Sequence, residues 1–165
     1  MLAYEKKSNG ALRLIRTKSD LQTFIEARAH NPALAAGLLG IEGAQALEGD
    51  PGAIETFFDA GFRLLGLTHF CDNEMAGSGQ GMQKGGLTEA GIKLIARMEK
   101  LGMVIDLAHA SEKTIDDVLD RVSKPVMVSH TGVRGTCDSP RNLGDAHIKR
   151  VAENGGSRGI TFFQE

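Results

Sequence analysis

The chain has 165 residues, of which 41% are apolar and 24% are charged, and its formal net charge at pH 7 is -2. This composition is typical of a globular protein, and it excludes a disordered chain and a disulfide-framed miniprotein. Lysine and arginine are scattered, which argues against binding to nucleic acid or to an anionic membrane. Because no run reaches the roughly eighteen apolar residues of a membrane span, we expect no transmembrane segment and a cytoplasmic location by default, unless a targeting segment lies upstream.

Short apolar runs alternate with amphipathic segments along the chain, and many of its 21 glycines lie between them, where tight turns are needed. The apolar runs are short and continuous, which predicts strands buried on both faces. In the first half, the pattern predicts strand 12–16, a helix capped by Thr17 that runs to Arg28, strand 38–41, a helix from Asp50 and Pro51 that ends at Gly61, and strand 62–68.

The same unit repeats in the second half, after a long polar loop over residues 70–86. Thr88 and Ser111 are typical helix N-caps, and Gly102 is placed to end the first of these two helices. The pattern predicts helix 89–100, strand 103–107, helix 112–121, strand 125–128, loop 131–143, helix 145–153 and strand 159–163.

Six parallel strands and five helices therefore make an α/β domain that occupies residues 1–165 without an internal linker. Two closures fit this pattern: an open doubly wound sheet, or part of an eight-stranded (β/α)8 TIM barrel. A complete barrel needs at least about 200 residues, so in the second case the chain is an incomplete barrel.

Four consecutive units place an acid or an imidazole at or just after the carboxyl end of a strand. These residues are Glu42, His69, His109 and His130. Because the carboxyl ends of parallel strands share one face, we expect the four side chains to converge there. Imidazole and carboxylate ligands without thiolate suit Zn²⁺, Mn²⁺ or Fe²⁺, so the pattern predicts a metal site.

Two further charged residues lie near these positions. Asp106, three residues before His109, either orients a ligand imidazole or binds nearby backbone. Arg141 follows the strand of His130, and from its position alone we expect a solvated surface side chain. The glycine-rich segment 77–86 has neither P-loop nor dinucleotide-binding spacing, and we expect a mobile loop on the substrate side.

Several motifs, in this order, are similar to those of the membrane dipeptidase (renal dipeptidase) family of zinc peptidases, peptidase family M19. The resemblance covers nearly the whole chain, from about residue 12 to residue 163. The motifs that carry it are GIEG at 40–43, LGLTH at 65–69 with DN at 72–73, GLTEAG at 86–91, LGMVIDLAH at 101–109 with Ser111, VSH at 128–130 and RNL at 141–143.

The resemblance implies a (β/α)8 barrel that holds two zinc ions and hydrolyses dipeptides. By motif, Glu42 is similar to the carboxylate that bridges both metals, and His109 and His130 are similar to the two imidazoles on one metal. His69 is similar to the histidine that contacts substrate and stabilises the tetrahedral intermediate. Arg141 is similar to the arginine that binds the dipeptide's carboxylate, so the resemblance reverses the expectation drawn from its position.

The sequence also departs from the family pattern. No His-x-Asp pair, which in the family completes the other metal site, occurs in the chain. The family's late-strand aspartate lies beyond the end of the sequence. We therefore expect an incomplete copy with at most one well-supported zinc site and impaired activity. Two alternatives remain: a non-catalytic module that assembles with another copy through open barrel edges, and a related metal-dependent amidohydrolase.

Overall fold

Parallel strands connected by helices make up residues 2–161, the part of the chain that the computed structural model describes. The strands are β1 Leu12–Leu14, β2 Ala35–Gly37, β3 Leu39–Glu42, β4 Phe62–Gly66, β5 Val104–Asp106, β6 Met127–Thr131 and β7 Ser157–Ile160. The α-helices are α1 Leu2–Lys7, α2 Lys18–His30, α3 Ile54–Asp59, α4 Glu89–Leu101, α5 Glu112–Leu119 and α6 Asp145–Glu153, with short 3₁₀ helices at Ala44–Leu47 and Pro51–Ala53.

Five strands lie side by side in the order β3-β4-β5-β6-β7, and each neighbouring pair is parallel. Strands β1 and β2 form a separate parallel pair. A doubly wound sheet reverses its strand order at a switch point, whereas a barrel adds each new strand on the same side. The sequential order therefore identifies part of a barrel.

Several predicted boundaries shift in the structure. The strand predicted at 38–41 corresponds to β3, which is shifted by one residue, and neither strand β2 nor the short helix α1 was predicted. The strand predicted at 125–128 runs from Met127 to Thr131, because pairing with β7 extends it past the apolar run into polar residues. The last strand begins earlier than predicted, at Ser157, and residues 162–163 of the prediction lie outside the described residues.

Four of the five predicted helix starts are confirmed by hydrogen bonds from backbone to capping side chains. Thr17 and Asp20 form a reciprocal capping box, and Thr88 and Ser111 each accept a backbone N–H three residues on. Asp50 accepts the N–H of Gly52, although a 3₁₀ turn precedes α3. These caps satisfy donors that a helix start would otherwise leave unpaired.

Alternation along the strands separates the core from the face that carries polar residues. Leu65, Ile105 and Val128 are buried among residues of the covering helices, including Leu94 and Val118. Successive side chains of a strand point to opposite faces, so polar residues next to these core positions face the other way. None of the helices within residues 2–161 has both the length and the apolar character that a membrane span requires.

Gly91, in the first turn of α4, packs directly against the loop that precedes the helix. A Cβ atom at this position would lie 2.0 Å from the backbone oxygen of Met75. The same oxygen accepts the N–H of Thr88 at 2.9 Å, so it is tied to the start of the helix. The close approach therefore requires glycine.

Replacing Gly91 with alanine is expected to destabilise the protein, although alanine in place of glycine ordinarily stabilises a helix by about 1 kcal/mol. The clash with a backbone oxygen cannot be relieved by rotating a side chain. Urea denaturation measures the change, and Ala96→Gly, on the exposed face of the same helix, serves as the propensity control with an expected loss of about 1 kcal/mol. A gain in stability for Gly91→Ala would contradict the close packing.

Candidate metal centre

Glu42, His69, His109 and His130 lie together at the carboxyl ends of β3 to β6. The Oε1 atom of Glu42 is 3.0 Å from Nε2 of His109, 3.3 Å from Nε2 of His130 and 3.6 Å from Nε2 of His69. The two Nε2 atoms of His109 and His130 are 2.9 Å apart. The structure thus brings together four side chains that are up to 88 positions apart in the sequence, the difference between 42 and 130.

Three of these side chains fit one divalent cation. Glu42 Oε1, His109 Nε2 and His130 Nε2 form a triangle, here called the ligand triangle. Its edges measure 2.9, 3.0 and 3.3 Å. Tetrahedral ligands at zinc–ligand distances of 2.0–2.1 Å lie roughly 3.3 Å from one another, so the spacing suits such an ion. Among the described residues, this is the group of histidine, cysteine and acidic side chains that converges closely enough to hold a metal.

The Nδ1 atoms of His109 and His130 face oxygen atoms that can accept a hydrogen bond. Nδ1 of His109 lies 3.4 Å from Oε1 of Gln80, and Nδ1 of His130 lies 2.9 Å from Oγ of Ser129. With each Nδ1–H donating, both Nε2 atoms present lone pairs toward the carboxylate oxygen of Glu42. Three converging lone pairs repel one another unless a cation lies among them, which supports the fit of a metal.

His109 is the most buried member, with 5% of its surface exposed. Burial is the largest cause that lowers its pKa to about 4, and the charges of Arg141, His130 and His69 lower it further, while Glu42 raises it. The imidazole is therefore neutral near pH 7, and neutral imidazole is the form that binds metals.

The backbone holds His109 in an unusual conformation. Its φ is +64°, in the left-handed region that residues other than glycine rarely adopt. The N–H of Ala110 donates to the carbonyl of Leu107, and the His109 carbonyl accepts the N–H of Gly79 at 2.8 Å. These bonds on both sides fix the turn, which aims the imidazole at Glu42.

The glycine-rich segment 77–86, expected to be a mobile loop, is held at several points instead. The two carboxylate oxygens of Asp72 accept the N–H groups of Ser78 and Gln83, each at 2.8 Å. The Gln83 bond is the largest cause that lowers the pKa of Asp72. The hydroxyl of Ser78 donates to the carbonyls of His69 and His109, at 2.5 and 3.2 Å. This segment therefore braces the backbone of two site residues.

Asp106 does not contact an imidazole through any hydrogen bond of the described residues. Its Oδ1 accepts the backbone N–H of Ala108 at 3.0 Å and of Ser129 at 2.8 Å. The expectation that it orients a ligand ring is replaced by the alternative, binding to nearby backbone. The ring partners are Gln80 and Ser129, which sequence reasoning missed. Ser129 is next to His130 in the sequence, whereas Gln80 is 29 positions from His109 and carries no such signal.

Arg141 points into the site and is half-buried, not a solvated surface residue. One of its terminal nitrogens, Nη2, lies 3.4 Å from Nε2 of His109, and its carbonyl accepts the hydroxyl of Thr131 at 2.9 Å. Burial lowers its pKa, while the charges of Glu42 and Asp106 oppose that change. The guanidinium thus lies beside the candidate metal position.

His69 is flanked by Phe70, a third residue that sequence reasoning missed. The two ring centroids are 4.0 Å apart, and the Phe70 ring also meets His109 edge-on at 5.3 Å. Phe70 is 55% exposed. It therefore makes an apolar wall at the open rim of the site, beside an imidazole that is 34% exposed.

Comparison with known proteins finds similarity over most of the chain. The family described as membrane dipeptidase (peptidase family M19) matches residues 3–165. Dipeptidase aclJ of Aspergillus oryzae is 35% identical over 138 residues, which are 82% of this chain and 33% of the relative. Dipeptidase 3 of Mus musculus is 33% identical over 133 residues, which are 77% of this chain and 27% of the relative. The chain spans about a third of the length of these curated relatives.

Among solved structures, a metallo peptidase from Rhodobacter sphaeroides, liganded with a phosphinate mimic of the dipeptide L-Ala-D-Ala, superposes with a TM-score of 0.84. It is 28% identical, and the match covers 96% of this chain and 46% of that chain. The α/β fold with a partial barrel, expected from the sequence, is thereby confirmed.

Added Zn²⁺ is expected to raise the melting temperature, because a ligand that binds the folded state stabilises it. At a free concentration of 100 times Kd the gain is about 2.7 kcal/mol, or roughly 5–10 °C for a chain of this size. Glu42→Gln and His130→Ala are each expected to remove most of this shift in differential scanning fluorimetry. The control is His30→Ala, at the end of α2 and outside the cluster; equal loss of the shift in this variant would point to nonspecific binding.

Proposed function

Because this chain belongs to the membrane dipeptidase family, peptidase family M19, we propose that it supplies metal-binding and substrate-binding residues of a zinc-dependent dipeptidase. The observation that carries the proposal is the convergence of Glu42 Oε1 with the Nε2 atoms of His109 and His130. Three protein ligands that leave one position open are the arrangement of catalytic zinc sites.

Zinc is favoured by the ligand chemistry. Two imidazoles and one carboxylate without a thiolate suit this borderline ion, and their spacing suits its tetrahedral geometry. When bound, such an ion supplies a water of lowered pKa and polarises the carbonyl oxygen of the bond to be cleaved. The residues around it have the tasks of holding the dipeptide in place and stabilising the charge that develops.

His69 is proposed to stabilise that developing charge. Its Nε2 lies 3.6 Å from Glu42 Oε1, so the ring borders the ligand triangle without completing it. Its exposure and its contact with Phe70 place it on the open side, where substrate arrives. A donor aimed at the carbonyl oxygen there stabilises the oxyanion of a tetrahedral intermediate.

Arg141 is proposed to bind the free carboxylate of the dipeptide. A guanidinium offers two parallel N–H donors that match the two oxygens of a carboxylate. Its Nη2 is 3.4 Å from Nε2 of His109, which is one corner of the ligand triangle. Only one amino-acid residue would therefore separate a carboxylate held by Arg141 from the bond being cleaved. This spacing would select dipeptides over longer peptides.

This chain by itself supplies only part of the expected machinery. The sequence contains no His-x-Asp pair, and it spans about a third of the curated relatives. We therefore propose at most one well-supported zinc site here, where the intact family is expected to use two, and impaired hydrolysis by the chain on its own. Association of open barrel edges with another copy and a cytoplasmic location stay predictions.

Arg141→Ala is expected to weaken the binding of a dipeptide to the Zn²⁺-loaded chain by about 10- to 100-fold, since hydrogen bonds to charged groups contribute roughly 1.5–3 kcal/mol. Binding of the corresponding dipeptide amide, which lacks the carboxylate, is expected to change little. Isothermal titration calorimetry measures both. Arg97→Ala on α4, whose guanidinium pairs with Glu55 on α3, is the matched control. Equal losses for dipeptide and amide would favour a related amidohydrolase.

Hydrolysis of dipeptides by the isolated chain with added Zn²⁺ is expected to be far slower than the roughly 10 s⁻¹ of a median enzyme. The reason is that the second metal position lacks its His-x-Asp ligands. Amino-acid release, followed by a coupled amine assay, measures the rate, and His109→Ala gives the background. Turnover at an ordinary enzymatic rate would contradict the requirement for the missing pair.

A further inference from the structure

Asp106 is a buried carboxylate that, among the described residues, makes no hydrogen bond to the ligand triangle or to any ring of the site. Only 4% of its surface is exposed. One of its oxygens, Oδ1, accepts two backbone N–H groups. One comes from Ala108, two residues after the end of β5, and the other from Ser129 on β6. The two donors are the residues that directly precede His109 and His130. One oxygen atom therefore ties together the backbone positions from which both imidazoles project.

This carboxylate oxygen replaces a carbonyl in the sheet. Between β5 and β6 the ladder has a single register pair, Asp106 with Met127, and the N–H of Leu107 donates to the Met127 carbonyl at 2.8 Å. The next donor along β6, the N–H of Ser129, goes to the Asp106 side chain instead of to backbone. The backbone after Leu107 is thereby released from the ladder while β6 stays satisfied.

The released backbone forms the turn that carries His109. The bond from Ala108 N–H to Asp106 Oδ1 closes an Asx-turn, in which a side chain mimics a backbone turn. The chain then reaches the left-handed conformation of His109, with φ of +64°. A strand that continued straight would carry His109 away from β6, so the Asx-turn and the bond to Ser129 together set where the two rings meet.

From this geometry we infer that Asp106 is the positioning residue that sets the 2.9 Å spacing between Nε2 of His109 and Nε2 of His130. The inference rests on the proposed metal site and assigns a specific task to a residue outside it. The task needs an acceptor oxygen at Oδ1. Asparagine can supply the same oxygen, whereas leucine fills a similar volume and supplies none.

The test measures Zn²⁺ affinity by competition with a chromophoric chelator and coordination geometry by the visible spectrum of bound Co²⁺. Asp106→Leu is expected to weaken Zn²⁺ binding about 10- to 100-fold, the usual effect of losing an outer partner of a ligand. It is also expected to change the Co²⁺ spectrum, because the two imidazoles no longer meet at one ion. Asp106→Asn is expected to keep both close to wild type.

Ile105→Ala is the matched control, since Ile105 is the neighbouring residue on β5 and is buried on the helix side of the sheet. It is expected to lower the melting temperature and to leave Zn²⁺ affinity and the Co²⁺ spectrum unchanged. If Asp106→Leu does not fold, Asp106→Ala replaces it. Zn²⁺ affinity is then measured for Asp106→Ala and for Ile105→Ala, each at the same number of degrees below its own melting temperature.

The outcomes separate the two proposals. Wild-type affinity in the leucine or alanine variant, or equal loss in the asparagine variant, overturns the role of Asp106. A loss of affinity in Ile105→Ala as large as in Asp106→Leu shows a general loss of structure and overturns it too. A wild-type chain that binds no Zn²⁺ overturns the proposed metal site itself, and the inference with it.

Discussion

The approach of two imidazole nitrogens to 2.9 Å beside one carboxylate oxygen is the constraint around which the site is organised. Groups of this kind do not gather spontaneously, because their lone pairs repel. They are held together here by the parallel ends of β3, β5 and β6 and by the buried core beneath them. The free energy of packing the sheet against its helices therefore maintains an arrangement that becomes favourable once a cation is bound.

The segments that surround the ligand triangle are held by hydrogen bonds to short polar side chains. Asp72 organises the glycine-rich segment, Ser78 joins the His69 and His109 backbones, and Asp106 joins the turn of His109 to β6. In each case a short polar side chain satisfies backbone groups that have left regular secondary structure. Preorganisation of this kind lets a site bind metal and substrate without first ordering its loops.

The open side of the site has a different character. Glu42 has 53% of its side chain exposed, and His69 and Phe70 lie beside it at the rim, whereas His109 is buried and Arg141 is half-buried behind it. This arrangement supports the proposed dipeptide substrate, whose carboxylate would meet Arg141 while its peptide bond would lie over the ligand triangle. The family to which the chain belongs accords with that assignment.

The sequence by itself determined the alternation of strands and helices, the capping residues, and the strand ends that carry Glu42, His69, His109 and His130. These features depend on local patterns and on the general rule that parallel strands end on one face. It did not predict strand β2 or the extension of β6 through His130, because these strands are defined by pairing with β1 and with β7. Only the tertiary structure decided that Asp106 accepts the N–H of Ser129 and that Gln80 faces the His109 ring, since each contact joins segments whose relative position depends on sheet register and loop path.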